Sequence, residues 1–317
     1  MSILAGFTHI IVPYLGMLLM VGMGVFGAWQ GLLSQERINM LSEIVIVLIL
    51  PIFTFWNAAT NSVAAILTQA PWMVGLGLFG GLLGYGLATV FARLAHWEWP
   101  RRSVLQVSGV SGNTGFLGIP VCTAIYGSQG TILALLYDLG ASVYLYTLGL
   151  NAYQNNTQNR VPIQVRLRLL IKNLLSPIFI ALFLGMGLAL AGWQIPTFLR
   201  MPFESLSNTA IPLMMIILGA ITYHSVLQYI ADKRSVILLS FLKLLIIPAL
   251  IWLLVQLLPI AGIPRGVAVI EAAMPSAVMA VTFASRYQAD EKLAASATTI
   301  TTLLSILTLP IFAAIVH

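Results

Sequence analysis

The chain has 317 residues, of which 59% are hydrophobic and 8% charged, with a mean hydropathy of +0.97. A water-soluble domain displays about 25% charged residues, so these proportions exclude a soluble globular protein and place the chain in a bilayer. The net charge of +6, which on a soluble protein would suggest nucleic acid, here reports topology, and no nucleic-acid partner is expected.

Apolar runs of the roughly 20 residues that span hydrocarbon fall at 10–31, 39–60, 71–94, 103–126 and 130–152, then at 167–191, 205–224, 235–258, 265–286 and 293–316. Together they predict an all-α integral membrane protein of about ten transmembrane helices joined by short loops. The first run lacks a basic segment before it and starts close to Met1, which reads as a retained helix rather than a cleaved signal. If the spans alternate in direction, basic residues crowd onto one side: Arg37, Arg93, Arg101, Arg102, Arg160, Arg166, Arg168, Lys172, Lys233, Arg234, Arg286 and Lys292. Arg200 and Arg265 fall on the other side, and Lys243 falls inside the eighth span, where it is expected to snorkel toward the interface. By the positive-inside rule the crowded side is cytoplasmic, so both termini are expected outside the cytoplasm of a cell membrane. The lone Cys122 excludes a disulfide within the chain.

The prolines repeat. Pro13 precedes Gly22-Met23-Gly24 as Pro177 precedes Gly185-Met186-Gly187, and Pro51, Pro100 and Pro120 echo in Pro212, Pro264 and Pro275. Their offsets are 177 − 13 = 164, 212 − 51 = 161, 264 − 100 = 164 and 275 − 120 = 155. An odd number of spans per half inverts the second half relative to the first. The expected organisation is a five-helix repeat over 1–152, a polar cytoplasmic linker over 153–166 and an inverted repeat over 167–317.

Ser111-Gly112-Asn113-Thr114-Gly115-Phe116-Leu117-Gly118-Ile119-Pro120 puts polar and helix-breaking residues inside the fourth span, and Met274-Pro275-Ser276 does the same in the ninth. Irregular backbone at membrane depth survives only where protein buries it or a polar cavity bathes it. Pro120 and Pro275 suit the first turn of a helix, so each is expected to open the second half of a broken, crossing helix. Two helix N-termini would then face each other at mid-depth, offering unpaired N–H groups and partial positive charge to an anion. Gly112, Asn113, Thr114 and Ser276 lie at the breaks, their polar side chains able to donate to a carboxylate, with no lysine or arginine expected at that depth. Asn57, beyond Pro51 in the second span, is a further candidate for the central cavity, with a helix-to-helix hydrogen bond as its alternative role.

Two acids, Asp138 in the fifth span and Glu271 in the ninth, stand inside hydrocarbon, where ionisable groups are costly and usually functional. Each is suited to carrying a proton or helping to hold a cation during transport, which leaves coupling to H+ or Na+ open. No metal site and no organic cofactor are expected.

Gly112-Asn113-Thr114-Gly115-Phe116-Leu117-Gly118-Ile119-Pro120, Ala272-Ala273-Met274-Pro275-Ser276-Ala277 and Thr302-Leu303-Leu304-Ser305-Ile306-Leu307-Thr308-Leu309-Pro310, in that order, closely resemble the auxin efflux carrier family. The resemblance runs along nearly the whole chain. It implies the fold of bile-acid symporters and sodium/proton antiporters, with helices four and nine crossing. It also implies a scaffold of helices one, two, six and seven, an elevator-like transport unit of helices three to five and eight to ten, and a homodimer. By the same resemblance Asn113, Pro120 and Pro275 match the substrate-binding motif, and bacterial relatives are linked to malate, malonate and similar acids. The long central loop of the plant carriers is missing, which points to a bacterial-type carrier of small organic acids.

Three other functions compete. Gly109-Val110-Ser111-Gly112 matches the short motif of rhomboid-like intramembrane serine proteases, whose serine needs a histidine base within hydrogen-bond reach. Only His224 has useful depth, and it falls near a helix end, as His9 and His96 do. Tyr137-Asp138 is similar to one half of an intramembrane aspartyl protease site, but the Gly-x-Gly-Asp half is missing. An anion channel is the third alternative, since the same breaks are able to line a pore.

Overall fold

A chain surrounded by hydrocarbon must satisfy its own backbone, and helices do so locally. The computed structural model describes residues 3–153, 162–226 and 232–316, and among them it is helical apart from loops and one isolated β-bridge. The helices are α1 (Ile3–Trp29), α2 (Gln35–Ala59), α3 (Val63–Leu94), α4 (Arg101–Ser108), α5 (Thr114–Ala152) and α6 (Ile163–Leu174). They continue with α7 (Pro177–Leu190), α8 (Thr197–Val226), α9 (Lys233–Leu257), α10 (Ile263–Ala272), α11 (Val278–Arg286) and α12 (Glu291–Ile315). Most of the expected linker, residues 154–161, lies outside the described residues.

Among the described residues, seven helices are long and apolar enough to cross a membrane, or eight if the bent pair α6 and α7 is one span. The difference from ten has a physical cause. The 39 residues of α5 would reach about 58 Å if straight, roughly twice the hydrocarbon thickness. Gly127 breaks it with φ 61° and ψ −154°, so α5 holds the second half of the fourth predicted span and all of the fifth. The 10 residues of α10 and 9 of α11 are too short to cross alone and together make the ninth. The sixth predicted span, 167–191, is not one straight helix: the chain bends by 49° between α6 and α7, where Ser176 precedes Pro177 at the first turn of α7.

Four single π-helical turns interrupt the helices, at Val45–Ile49, Thr114–Gly118, Leu145–Gly149 and Leu242–Ile246. Pro51, Pro120 and Pro248 each follow such a turn by two residues. A proline has no N–H for the residue four before it, and the wider turn accommodates the missing bond.

Packing divides the helices into two groups. α1 lies along α8 and α2 along α7, while α3 lies along α5 and α9 to α12 pack with one another and with α3 to α5. In terms of predicted spans, first-with-seventh and second-with-sixth are contacts that exchange under a one-to-six, two-to-seven relation. Among the described residues, three helix pairs approach to backbone contact, including α2 and α7 through Gly185 against the Phe55 carbonyl. A Cβ on Gly24 would overlap the Ile216 carbonyl and one on Gly219 the Val21 carbonyl; Gly77 and Gly140 stand likewise against Tyr137 and Val74. Such small-residue contacts let helices associate where no hydrophobic force between them exists. Burial is deepest in α4 and α10, where Ser103–Ser108 and Gly266–Ala272 are all buried.

Candidate functional site

The two broken spans hold each other. α4 ends as the N–H groups of Gly109 and Ser111 bond back to the carbonyls of Leu105 and Val107 at 3.1 and 2.8 Å. Past that point Asn113 N–H donates to the Pro275 carbonyl at 2.7 Å, and Ala277 N–H to the Ser111 carbonyl at 3.0 Å, with Gly112 and Ser276 paired as an antiparallel bridge. Backbone groups freed by one break are thus satisfied by the other, which meets the requirement that hydrocarbon imposes. Gly112 eases the approach: a Cβ there would lie 3.3 Å from Met274 Cβ and 3.4 Å from Lys243 Nζ, a tight fit.

Both helices restart one residue beyond the bridge, with Asn113 at the N-cap of α5 and Ala277 at the N-cap of α11. Their N-termini are neighbours, as expected, but the prolines do not open them. Pro120 follows the π turn with which α5 begins, and Pro275 sits in the extended segment before α11, where its carbonyl serves the bridge. The reason is that these prolines need a site without an N–H partner, and an extended strand or the end of a π turn supplies one as well as a first turn does.

The polar side chains divide. Ser276 is fully engaged: its N–H donates to Thr301 Oγ1 at 3.0 Å and its hydroxyl to the Ser108 carbonyl at 2.6 Å. The Thr114 hydroxyl donates to Asp138. Asn113 keeps an uncommitted donor, a buried side-chain nitrogen with no hydrogen-bond partner, and the Ser111 hydroxyl two residues before it is likewise unpartnered. Beside it, the first-turn N–H groups of Thr114, Gly115 and Phe116 have no acceptor within their helix, as at any helix start. Asn57 is buried, and its amide donates to the Phe53 carbonyl of its own helix at 2.8 Å; the central cavity is lined by Gly112 and Thr114 of the expected binding residues, and not by Asn57, Asn113 or Ser276.

That cavity measures about 50 Å³ and is walled by Gly112 and Thr114 at the crossover, by Asp138 and Tyr144 of α5, by Glu271 and by Lys243. Asp138 and Glu271 are therefore brought together, from α5 and α10. Glu271 is buried, with one carboxylate oxygen accepting from the Cys122 thiol at 3.4 Å and the other without a partner. Its carboxylate fills the space that a Cβ on Gly118 would occupy.

Lys243 departs from expectation. It does not snorkel: it is 1% exposed, and Nζ donates to the Ala272 carbonyl at 2.8 Å. Ala272 ends α10, so the ammonium stands at the electronegative end of a half-helix, where a cation is favoured. The expectation of no lysine near the crossover is thereby corrected. A signal for it existed: Lys243 lies ten residues beyond Lys233, where α9 begins, or about 15 Å at helical rise. That is half of the roughly 30 Å core.

The serine-protease geometry is missing as well. His224 Nε2 lies 2.8 Å from the Leu33 carbonyl, in the loop between α1 and α2, while Ser111 sits at the crossover with no partner for its hydroxyl.

A sequence model described as "Membrane transport protein" matches residues 9–313. An uncharacterized transporter of Methanocaldococcus jannaschii is 30% identical over 303 residues, which cover 93% of this chain and 95% of that protein. An uncharacterized transporter of Methanothermobacter thermautotrophicus is 30% identical over 305 residues, 95% of this chain and 96% of its own length. With the crossover in place and the match running from end to end, the chain belongs to the membrane transport protein family, that of the auxin efflux carriers, and is a multi-pass membrane transporter.

Proposed function

We propose that the protein is a secondary transporter of small organic anions, mono- or dicarboxylates of the malate or malonate kind, that binds a carboxylate at the crossover. The observation that carries this reading is the buried, unpartnered amide nitrogen of Asn113 beside the first-turn N–H groups of α5. A buried donor without an acceptor costs about 1–3 kcal/mol, and a carboxylate accepts from several donors at once. Helix N-termini favour such anions without needing a cationic side chain.

Transport is by alternating access of the elevator type. The division of packing supports it: α1, α2, α7 and α8 form the scaffold, and α3 to α5 with α9 to α12 form the moving unit that carries the crossover. The two groups descend from inverted five-helix repeats, the protein works as a homodimer in the cell membrane, and both termini face away from the cytoplasm.

Counterflow tests the reading. Proteoliposomes loaded with unlabelled malonate should accelerate entry of labelled malonate, with saturation. Linear, conductive flux without exchange would make the protein a channel and overturn the carrier.

A further inference from the structure

One charge is buried beside the crossover. Lys243 occupies the π turn Leu242–Ile246 of α9, and its Nζ has one protein hydrogen bond, to the Ala272 carbonyl. Among the described residues the only ion pairs within 4.0 Å are those of Arg101, so no carboxylate pairs directly with Lys243. An ammonium has three donors. Its remaining ones belong to the cavity that Asp138, Glu271 and Ser111 also line, where one Glu271 oxygen and the Ser111 hydroxyl also lack partners. At about 50 Å³ the cavity is large enough for a few bridging waters. The other titratable groups facing this space are Tyr137 and Tyr144 of α5, the latter donating to the Gln106 carbonyl, and Cys122, which meets Glu271; α3 contributes only glycines.

Two carboxylates and one ammonium carry a net charge of −1 when all are ionised, and a single proton brings them to zero. Charge inside hydrocarbon is costly unless compensated. A carrier that moves a pair of buried acids can neutralise them by taking a cation from solution on every cycle. This chain has a cation attached to it. We infer that Lys243 is a tethered counter-cation for the cavity that Asp138 and Glu271 line, filling the role that a bound Na+ would otherwise fill, so that the moving unit is neutral with one proton and indifferent to sodium. This rests on the carrier reading for its purpose, though not for its test. Capping of α10 is the competing, purely structural role, and the experiment separates the two.

The full-length protein in detergent is unfolded thermally in sodium chloride and in choline chloride, across a pH series, as wild type, Lys243→Met, Lys243→Arg and Lys243→Met combined with Asp138→Asn. Ligands that bind only the folded state raise the unfolding midpoint. The wild type and Lys243→Arg should unfold at the same midpoint in both salts. Lys243→Met leaves two carboxylates uncompensated, so it should gain a stabilisation by sodium that the wild type lacks, and its midpoint should rise as pH falls. Removing the Asp138 charge as well leaves Glu271 alone, with the wild type's net charge of −1, and should return both effects to the wild-type level. A wild type stabilised by sodium, or a Lys243→Met midpoint that ignores both sodium and pH, overturns the inference. If Lys243→Met does not fold, the double variant decides: recovery of a folded protein supports charge balance, whereas a double variant as unfolded as the single one leaves only the cap and overturns it. In proteoliposomes the same variants should show sodium-independent malonate exchange for the wild type and at least a tenfold loss for Lys243→Met in sodium-free buffer. Absence of exchange by every variant refutes the carrier, while the thermal result still judges Lys243.

Discussion

In the second arm of the crossover, Ser276 commits its N–H to Thr301 and its hydroxyl to the Ser108 carbonyl. In the first arm, Asn113 is fixed by its backbone alone, through the 2.7 Å bond to the Pro275 carbonyl, and its amide nitrogen is buried without a partner. The arms look alike as sequence, each a break of small and polar residues around a proline. They differ in what the polarity is for. One arm uses its side chains to hold the crossing together, and the other leaves a buried side-chain donor unpaired.

Substitutions on the two arms should therefore separate binding from stability. Asn113→Ala should have the largest effect on ligand. Loss of a hydrogen bond to a charged carboxylate removes about 1.5–3 kcal/mol, roughly a 10- to 100-fold rise in Kd, while the unfolding midpoint without ligand stays the same or rises. Titrating the thermal shift with malonate measures both. Thr301→Val comes next and acts the other way: it strands the buried Ser276 N–H, costing about 1–3 kcal/mol of stability. Ser276→Ala should cost about 1 kcal/mol, since a carbonyl that loses one partner is less penalised than an N–H. Neither should change Kd by more than about threefold once folded protein is counted. A Ser276→Ala variant that folds normally and fails to bind would erase the distinction between the arms.

The sequence makes the breaks legible because glycine, asparagine and proline have local consequences that no partner can cancel. The adjacency of the two N-termini follows from pairing the breaks. What satisfies the freed backbone is not local, and so it is not legible: Ser111 with Ala277 and Asn113 with Pro275 are contacts between residues more than 150 apart. The same holds for the prolines, whose missing N–H is compatible with a first turn, a π turn or an extended segment alike. Lys243 was concealed by a rule that is usually sound, that a lysine in an apolar helix reaches back to the interface. From half-depth it cannot reach, and Ala272 and the cavity take its ammonium instead. The bend between α6 and α7 is the converse case: Ser176-Pro177 marked it, but hydropathy averaged over 167–191 ran straight across.

The smallest effect belongs to the tie between the first arm and two helices of the second half, at the end remote from the crossing. Arg101, which opens α4, meets Asp232 at 3.4 Å and Asp290 at 3.9 Å, and these two acids cap α9 and α12. Asp232 accepts from the Ser235 hydroxyl at 2.8 Å and from the Arg234 N–H at 3.2 Å. These bonds, the Ser235 hydroxyl first, and the Arg101 charge hold its carboxyl below the usual carboxylate range. A carboxyl more acidic in the folded state than in the unfolded one stabilises above its unfolded value, and that contribution is lost as pH falls through the folded value. Asp232→Asn should therefore lower the unfolding midpoint slightly at neutral pH, by less in high salt because the ion pair is exposed, and by nothing in acid, where the wild type has lost the same charge. The difference in midpoint between the two proteins, followed from neutral pH downward, should shrink monotonically; a difference that grows in acid would mean the cap, not the charge, is what Asp232 contributes.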